Sequence, residues 1–223
     1  MAGVTAELDY KKRLDGDLNW ALREGGMFFQ GESEVQKSLR RITARLSALG
    51  IEYAVVGGMA LFLHGFRRFT EDVDILVTRE GLRRLHEALE GSGYRPPFPN
   101  SKNLRDTDNG VRIEFLVAGE FPGDGKAKPV AFPEPGNVAT GRGGVRVLNL
   151  EALIELKLAS GMSGGIERLK DLADVVEVIK MLDLPLTVSD KLNPYVSERY
   201  RQLWQEIQAA RMQRESDGLE PQG

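Results

Sequence analysis

No part of this chain constrains its fold more than Tyr53 to Val77, YAVVGGMALFLHGFRRFTEDVDILV. It opens with an apolar run (Ala54, Val55, Val56) that breaks at Gly57 and Gly58. A helix-compatible segment from Met59 to His64 and a basic turn at Arg67 and Arg68 follow, and a second run, Asp72 to Val77, carries alternating carboxylates. A strand has a side-chain period of two, so Asp72 and Asp74 share one face while Val73, Ile75 and Val77 share the other. Two carboxylates side by side on a buried strand repel each other and are costly to desolvate. A chain that builds this arrangement generally has a cation to put there.

The rest of the sequence narrows what that cation is. There is no cysteine, which excludes disulfides, zinc–thiolate sites and cysteine nucleophiles and fits a reducing cytosol. His64 and His86 are the only histidines, so a histidine-rich metal site is excluded as well. What remains is a hard, oxygen-liganded cation, Mg²⁺ or Mn²⁺. A net charge of -3 gives no bulk attraction to nucleic acid, so an RNA or DNA partner requires a local basic patch. No apolar run approaches the ~20 residues that span a bilayer, and no signal-peptide pattern opens the chain. The expectation is a soluble, cytoplasmic protein with no membrane partner.

Read in order, residues 1–32 form an N-terminal arm punctuated by Gly16, Gly25, Gly26 and Gly31, expected to be loosely attached and to pack Trp20, Phe28 and Phe29. Ser33 then caps a helix whose apolar stripe is Val35, Leu39, Ile42, Leu46 and Leu49. The Tyr53–Val77 unit follows, then an amphipathic helix over 80–89 and a strand over 111–117. That strand alternates Val111, Ile113, Phe115 and Val117 against Arg112, Glu114 and Leu116. A glycine- and proline-rich loop occupies 119–144 and a short strand 145–148. Asn149 caps a helix carrying Lys157. A second helix over 166–182 should bury Leu169, Leu172, Ala173, Val176 and Ile179, and a last one opens at Asn193–Pro194. The fold expected is α/β (α+β): a small mixed sheet flanked by helices over 33–149, an all-helical C-terminal part over 150–214, and a disordered tail from 215 to 223.

Three elements carry chemistry. Gly57 and Gly58 let a backbone approach an anion closely at the start of a helix. Asp72 and Asp74 supply paired carboxylates, and a divalent metal is what brings phosphate and such a pair together. Glu114, the sole acid in VRIEFLV and on the face opposite the apolar stripe, is the candidate third carboxylate. Together Gly57-Gly58-Met59-Ala60-Leu61 and the Arg68, Thr70, Asp72, Asp74 series resemble the signature of the polymerase-β-type nucleotidyltransferase superfamily. Within it they are similar to the nucleotidyltransferase toxins of abortive-infection toxin–antitoxin systems and to the aminoglycoside nucleotidyltransferases. The likeness continues through Glu114, Lys157 and the Arg168, Asp171, Asp174 series.

That resemblance implies a nucleotidyltransferase fold and transfer of a nucleoside monophosphate from an NTP, ATP included, to an acceptor hydroxyl. Asp72, Asp74 and Glu114 would be the catalytic and metal-binding acids. Gly57, Gly58, Arg68, Thr70 and Lys157 would bind the nucleotide, and Arg168, Asp171 and Asp174 would support them. The acceptor would be RNA, tRNA or protein in a toxin-like enzyme with a cognate antitoxin, or a small molecule such as an aminoglycoside. A non-catalytic NTP- or partner-binding module of the same fold is the reading from another class. The sequence departs from the superfamily at Gly58, where many members carry Ser, and at Glu114, where Asp is commoner. Helix salt bridging among Arg168, Lys170, Asp171 and Asp174, and a surface role for Lys157, are the plainer readings of the later motifs.

Overall fold

The computed structural model describes residues 9–217, which divide into two compact units. The first holds the chain up to Leu63, Arg67–Ala118 and Glu134–Leu148; the second holds His64–Phe66, Gly119–Pro133 and the chain from Asn149 onward.

In the first unit the elements are α1 (Tyr10–Gly16), α2 (Leu18–Gln30), α3 (Glu34–Ala48), β1 (Tyr53–Val55), α4 (Gly57–Leu63) and β2 (Asp72–Val77). They continue with α5 (Arg79–Leu89), β3 (Tyr94–Arg95), β4 (Leu104–Asp106), β5 (Arg112–Val117), α6 (Pro135–Val138), β6 (Ala139–Arg142) and β7 (Val145–Leu148). The strands make one mixed sheet in the order β3-β4-β5-β2-β1-β7-β6. β2 runs parallel to β5 and antiparallel to β1, which in turn is parallel to β7. Three of the seven strands lie where the sequence shows only loop. β3 and β4 are two and three residues long, too short to display a period, and β6 (ATGR) has no apolar face to display. The core sits on the face formed by Val73, Ile75 and Val77 of β2 and Ile113, Phe115 and Val117 of β5, all fully buried or nearly so.

Residues 10–30 correct the expectation of a loose arm. Asp9 caps α1, Asp17 caps α2, and the pair bury Tyr10, Glu24 and Phe28. Two helical glycines cost roughly 1 kcal/mol each in propensity, but burial and hydrogen bonding outweigh that. The Tyr10 hydroxyl donates to Glu24 at 3.0 Å, and Glu24 also accepts from the Glu34 N–H at 2.6 Å. α3 begins with the capping box of Ser33 and Gln36.

The second unit is helical: α7 (Leu150–Ser163), α8 (Leu169–Met181) and α9 (Pro194–Ser216), with 3-10 turns over Ile166–Arg168 and Leu186–Lys191. α8 presents a different face from the one its apolar residues predict. Asp171, Asp174, Val175, Val178 and Ile179 are buried, whereas Leu169 is 53% exposed and Ala173 faces solvent. Lys157 on α7 is the physical reason, because it takes both aspartates inward. Gly161 allows the two helices to close up, since a Cβ there would lie 2.5 Å from Leu172 Cγ. α9 extends to Ser216, so the first residues of the expected tail are helical. The rest of that tail, 218–223, and the first eight residues of the expected arm lie outside the described residues.

Candidate active site

Parallel pairing of β2 with β5 sets Asp72 opposite Arg112 and Asp74 opposite Glu114. In-register residues of neighbouring strands share a face about 4.7–4.9 Å apart along the hydrogen-bonding direction. The three carboxylates expected from the sequence are thus brought onto one face of the sheet, each half-buried, while the alternate residues fill the core. Further along that face Leu76 of β2 is fully buried, so the polar end of the face coincides with the start of β2.

The glycine turn fits against these acids. Gly57 has φ +59, a left-handed conformation, and a Cβ on it would lie 1.8 Å from Oδ2 of Asp74. The Asp74 carboxylate therefore occupies the space that any side chain at position 57 would need. Gly58 stands in the same relation to Thr70, whose Cβ and Oγ1 would each be 2.8 Å from an added Cβ. The hydroxyl that a serine would bring at position 58 is excluded by one already in place on Thr70. Thr70 Oγ1 donates to Asp72 Oδ1 at 2.9 Å and so fixes that carboxylate's orientation. The Val56 N–H donates to the Asp74 carbonyl at 2.9 Å, which ties the glycine turn to β2 through the backbone.

Support for the turn comes from a part of the chain where sequence reasoning found little. Phe28 of α2 is fully buried, with ring centroids 5.1 Å from Phe62 of α4 and 5.0 Å from Phe69. Arg67 lies over the Phe62 ring at 5.9 Å, and Arg68 donates to the Phe69 carbonyl at 3.3 Å. Lys11 of α1 pairs with Glu71, next to Asp72, at 2.7 Å.

Glu114 forms an ion pair with Arg112, Oε1 to Nη2 2.8 Å. Residues 112 and 114 share a strand face, so the period of the strand makes this pair legible in the sequence. Among the described residues no three His, Asp or Glu side chains surround one metal-sized point. The donors still fit a hard cation in kind: three carboxylates on one face, with the Gly57 cradle holding Asp74 at the turn.

The remaining predicted residues lie in the second unit. Lys157 Nζ donates to Asp171 Oδ1 at 2.9 Å and to Asp174 Oδ2 at 2.7 Å, and Ser160 Oγ donates to Asp171 Oδ2 at 2.7 Å. All four residues are at least nine-tenths buried. Burial alone would push the Asp171 carboxyl up. The charge and hydrogen bond of Lys157, the Ser160 hydroxyl and the charge of Arg168 outweigh it and hold the group below the usual carboxylate value. Arg168 itself is exposed, on the 3-10 turn. His86 bonds Glu90 and the Lys102 carbonyl and takes no part in either cluster.

Residues 23–216 match a family model described as "Uncharacterised nucleotidyltransferase". None of the curated proteins compared with the chain matches it. Among solved structures, JHP933 from Helicobacter pylori is 16% identical, covering 82% of this chain and 94% of that one, with a TM-score of 0.45. An antigenic nucleotidyltransferase-like protein from Paracoccidioides brasiliensis is 18% identical over 66% of this chain and 76% of that one, at 0.43. ANT(2")-Ia, solved in complex with adenylyl-2"-tobramycin, is 15% identical over 77% of this chain and 97% of that one, also at 0.43.

Proposed function

The chain belongs to the nucleotidyltransferase family whose model spans residues 23–216, and from that premise we propose that it transfers a nucleoside monophosphate from an NTP to an acceptor hydroxyl on the carboxylate face of its sheet. The observation that carries this reading is the pairing of Asp74 with Glu114 in register, with Asp72 on the same face and the Asp74 carboxylate seated against Gly57.

Each residue has a task. Gly57 and Gly58, which carry no Cβ, let the Asp74 carboxylate and Thr70 pack directly against the turn that would receive the triphosphate. Thr70 fixes the Asp72 carboxylate, and Arg68 supplies a guanidinium beside the turn for phosphate oxygens. Glu114 accepts the proton of the attacking hydroxyl as the acceptor oxygen bonds the α-phosphorus and pyrophosphate departs. A hard divalent cation, Mg²⁺ or Mn²⁺, held by Asp72 and Asp74 and shared with Glu114, would supply charge stabilisation to the transferring phosphoryl group.

Lys157 is assigned differently from the role the resemblance implies. Its ammonium is already shared between two buried carboxylates, so Lys157, Asp171 and Asp174, with Arg168 contributing charge nearby, form the framework of the helical unit.

For the acceptor, the β6–β7 hairpin exposes Arg142 and Arg146, which favours a phosphate-bearing partner such as RNA over a polycationic aminoglycoside. Lys128 does not add to that patch, because its ammonium is tied to Pro122 O, Asp124 and Ser163. A toxin-like enzyme with a cognate antitoxin follows from this reading. Incubation with each labelled NTP, Mg²⁺ and, in turn, total RNA, total protein and aminoglycosides tests it. Label should enter RNA and vanish with EDTA. Transfer to protein or to an aminoglycoside would overturn the RNA reading, and NTP binding without transfer to anything would point to a non-catalytic module. Harmless expression in a bacterial host would remove the toxin reading.

A further inference from the structure

β5 opens with Arg112 and Glu114 on one strand face, two residues apart and so roughly 6.6–7 Å along the chain. The glutamate and arginine side chains bridge that interval at 2.8 Å. Across the sheet, Arg112 stands opposite Asp72 and Glu114 opposite Asp74. Glu114 thus has a like charge in register on one side and an opposite charge on its own strand. Its carboxylate is engaged by the guanidinium, and Arg112, in register with Arg105 of β4 on its other side, could also meet a phosphate.

Exposure decides whether such a pair is permanent. The Arg112 and Glu114 side chains are 51% and 28% exposed, whereas Lys157 and its aspartates are 8–9% exposed. A pair this open contributes only roughly two- to fivefold to an equilibrium constant, so a competing ligand can take it apart. A buried pair cannot be opened at that cost.

We propose that Arg112 is a positioning residue that holds Glu114 as its counterion in the free protein and yields it when a polyphosphate engages the guanidinium. The cation and the triphosphate then enter the site together. The exchange breaks one ion pair and forms two, Arg112 with phosphate and Glu114 with cation, so each ligand favours the other by the same factor. The inference rests on the acid face being the nucleotide site.

Full-length protein, titrated with Mn²⁺ alone and, separately in EDTA, with inorganic tripolyphosphate, tests this without reading turnover. Arg112→Gln should bind Mn²⁺ roughly two- to fivefold more tightly, because Glu114 is released, and bind tripolyphosphate more weakly. Glu114→Gln should do the reverse, binding tripolyphosphate more tightly because Arg112 is released. These opposite signs are what a merely structural role would not produce. The proposal is overturned if Arg112→Gln weakens both ligands or moves neither. Should that variant fail to fold, an unchanged or lower tripolyphosphate affinity in Glu114→Gln overturns it instead. Asp74→Asn separates the two levels of the argument. Mn²⁺ affinity lost there but indifferent to Arg112 sinks only the exchange, while affinity unchanged in Asp74→Asn sinks the cation site itself.

Discussion

The sheet and the helices of this protein each gather carboxylates with a cationic side chain, and they do so in opposite ways. In the helical unit, Lys157 is shared by Asp171 and Asp174 with Ser160 completing the hydrogen bonds, and the whole cluster is buried. Its charges close on one another. On the sheet, Asp72, Asp74 and Glu114 stand half-buried on one face, beside a turn whose glycines leave space that Asp74 and Thr70 fill. The contrast shows that acidic residues in a familiar order do not by themselves mark a site. Burial separates the two clusters: the helical acids are closed on a counterion, and the sheet acids remain part-exposed.

The largest effect should come from opening the buried cluster. Lys157→Ala removes the ammonium that two buried carboxylates share, which should cost about 3–5 kcal/mol, readable in chemical denaturation. Replacing Lys157, Asp171 and Asp174 together by apolar residues of similar volume should be neutral or stabilising. If the triple replacement instead abolishes nucleotide transfer in a folded protein, the assignment of Lys157 to the framework is wrong.

Next in size is Gly57→Ala, which sets a Cβ into the Asp74 carboxylate at a backbone conformation alanine disfavours. It should destabilise by about 1–3 kcal/mol and lower transfer disproportionately, because Asp74 must move. A variant with unchanged transfer would show that the cradle is incidental.

Acid should separate the two regions by a smaller margin. The Asp171 carboxyl is held below its ordinary value in the folded state, so its contribution is present above the unfolded value of about 4 and is lost as pH falls through the lower folded value. The helical unit should therefore lose stability below about pH 4. Trp204 reports on it through the hydrogen bond from its indole N–H to Leu184 O at 2.9 Å. The chain has two tryptophans, and Trp20→Phe leaves that signal alone. In Lys157→Ala the acid transition should move to higher pH; an unmoved transition would place the acid-sensitive group elsewhere.

Much of the sheet site was legible because a strand's period of two is unambiguous. Asp72 and Asp74 had to share a face, and Glu114 had to oppose the apolar stripe of its own strand. The register that sets Glu114 beside Asp74 was not legible, since parallel strands are aligned by their crossover and not by any local signal. Gly58 and Thr70 lie twelve residues apart in the sequence, and only packing shows that the Thr70 hydroxyl takes the space of a side chain at 58. In α8 the apolar stripe misled, because buried positions 171 and 174 hold aspartates that a hydrophobic pattern assigns to solvent. Residues 10–30 were obscured by Gly25 and Gly26, whose low helix propensity is overridden by the burial of Tyr10 and Phe28.

The carboxylate face is tested most directly by the rate of Mg²⁺-dependent transfer of NTP-derived label by Asp74→Asn beside the wild-type protein, with folding verified on the same samples. The prediction is a loss of about 10²–10³-fold or more in a protein that unfolds near the wild-type temperature. Transfer at the wild-type rate from a folded Asp74→Asn variant would contradict it.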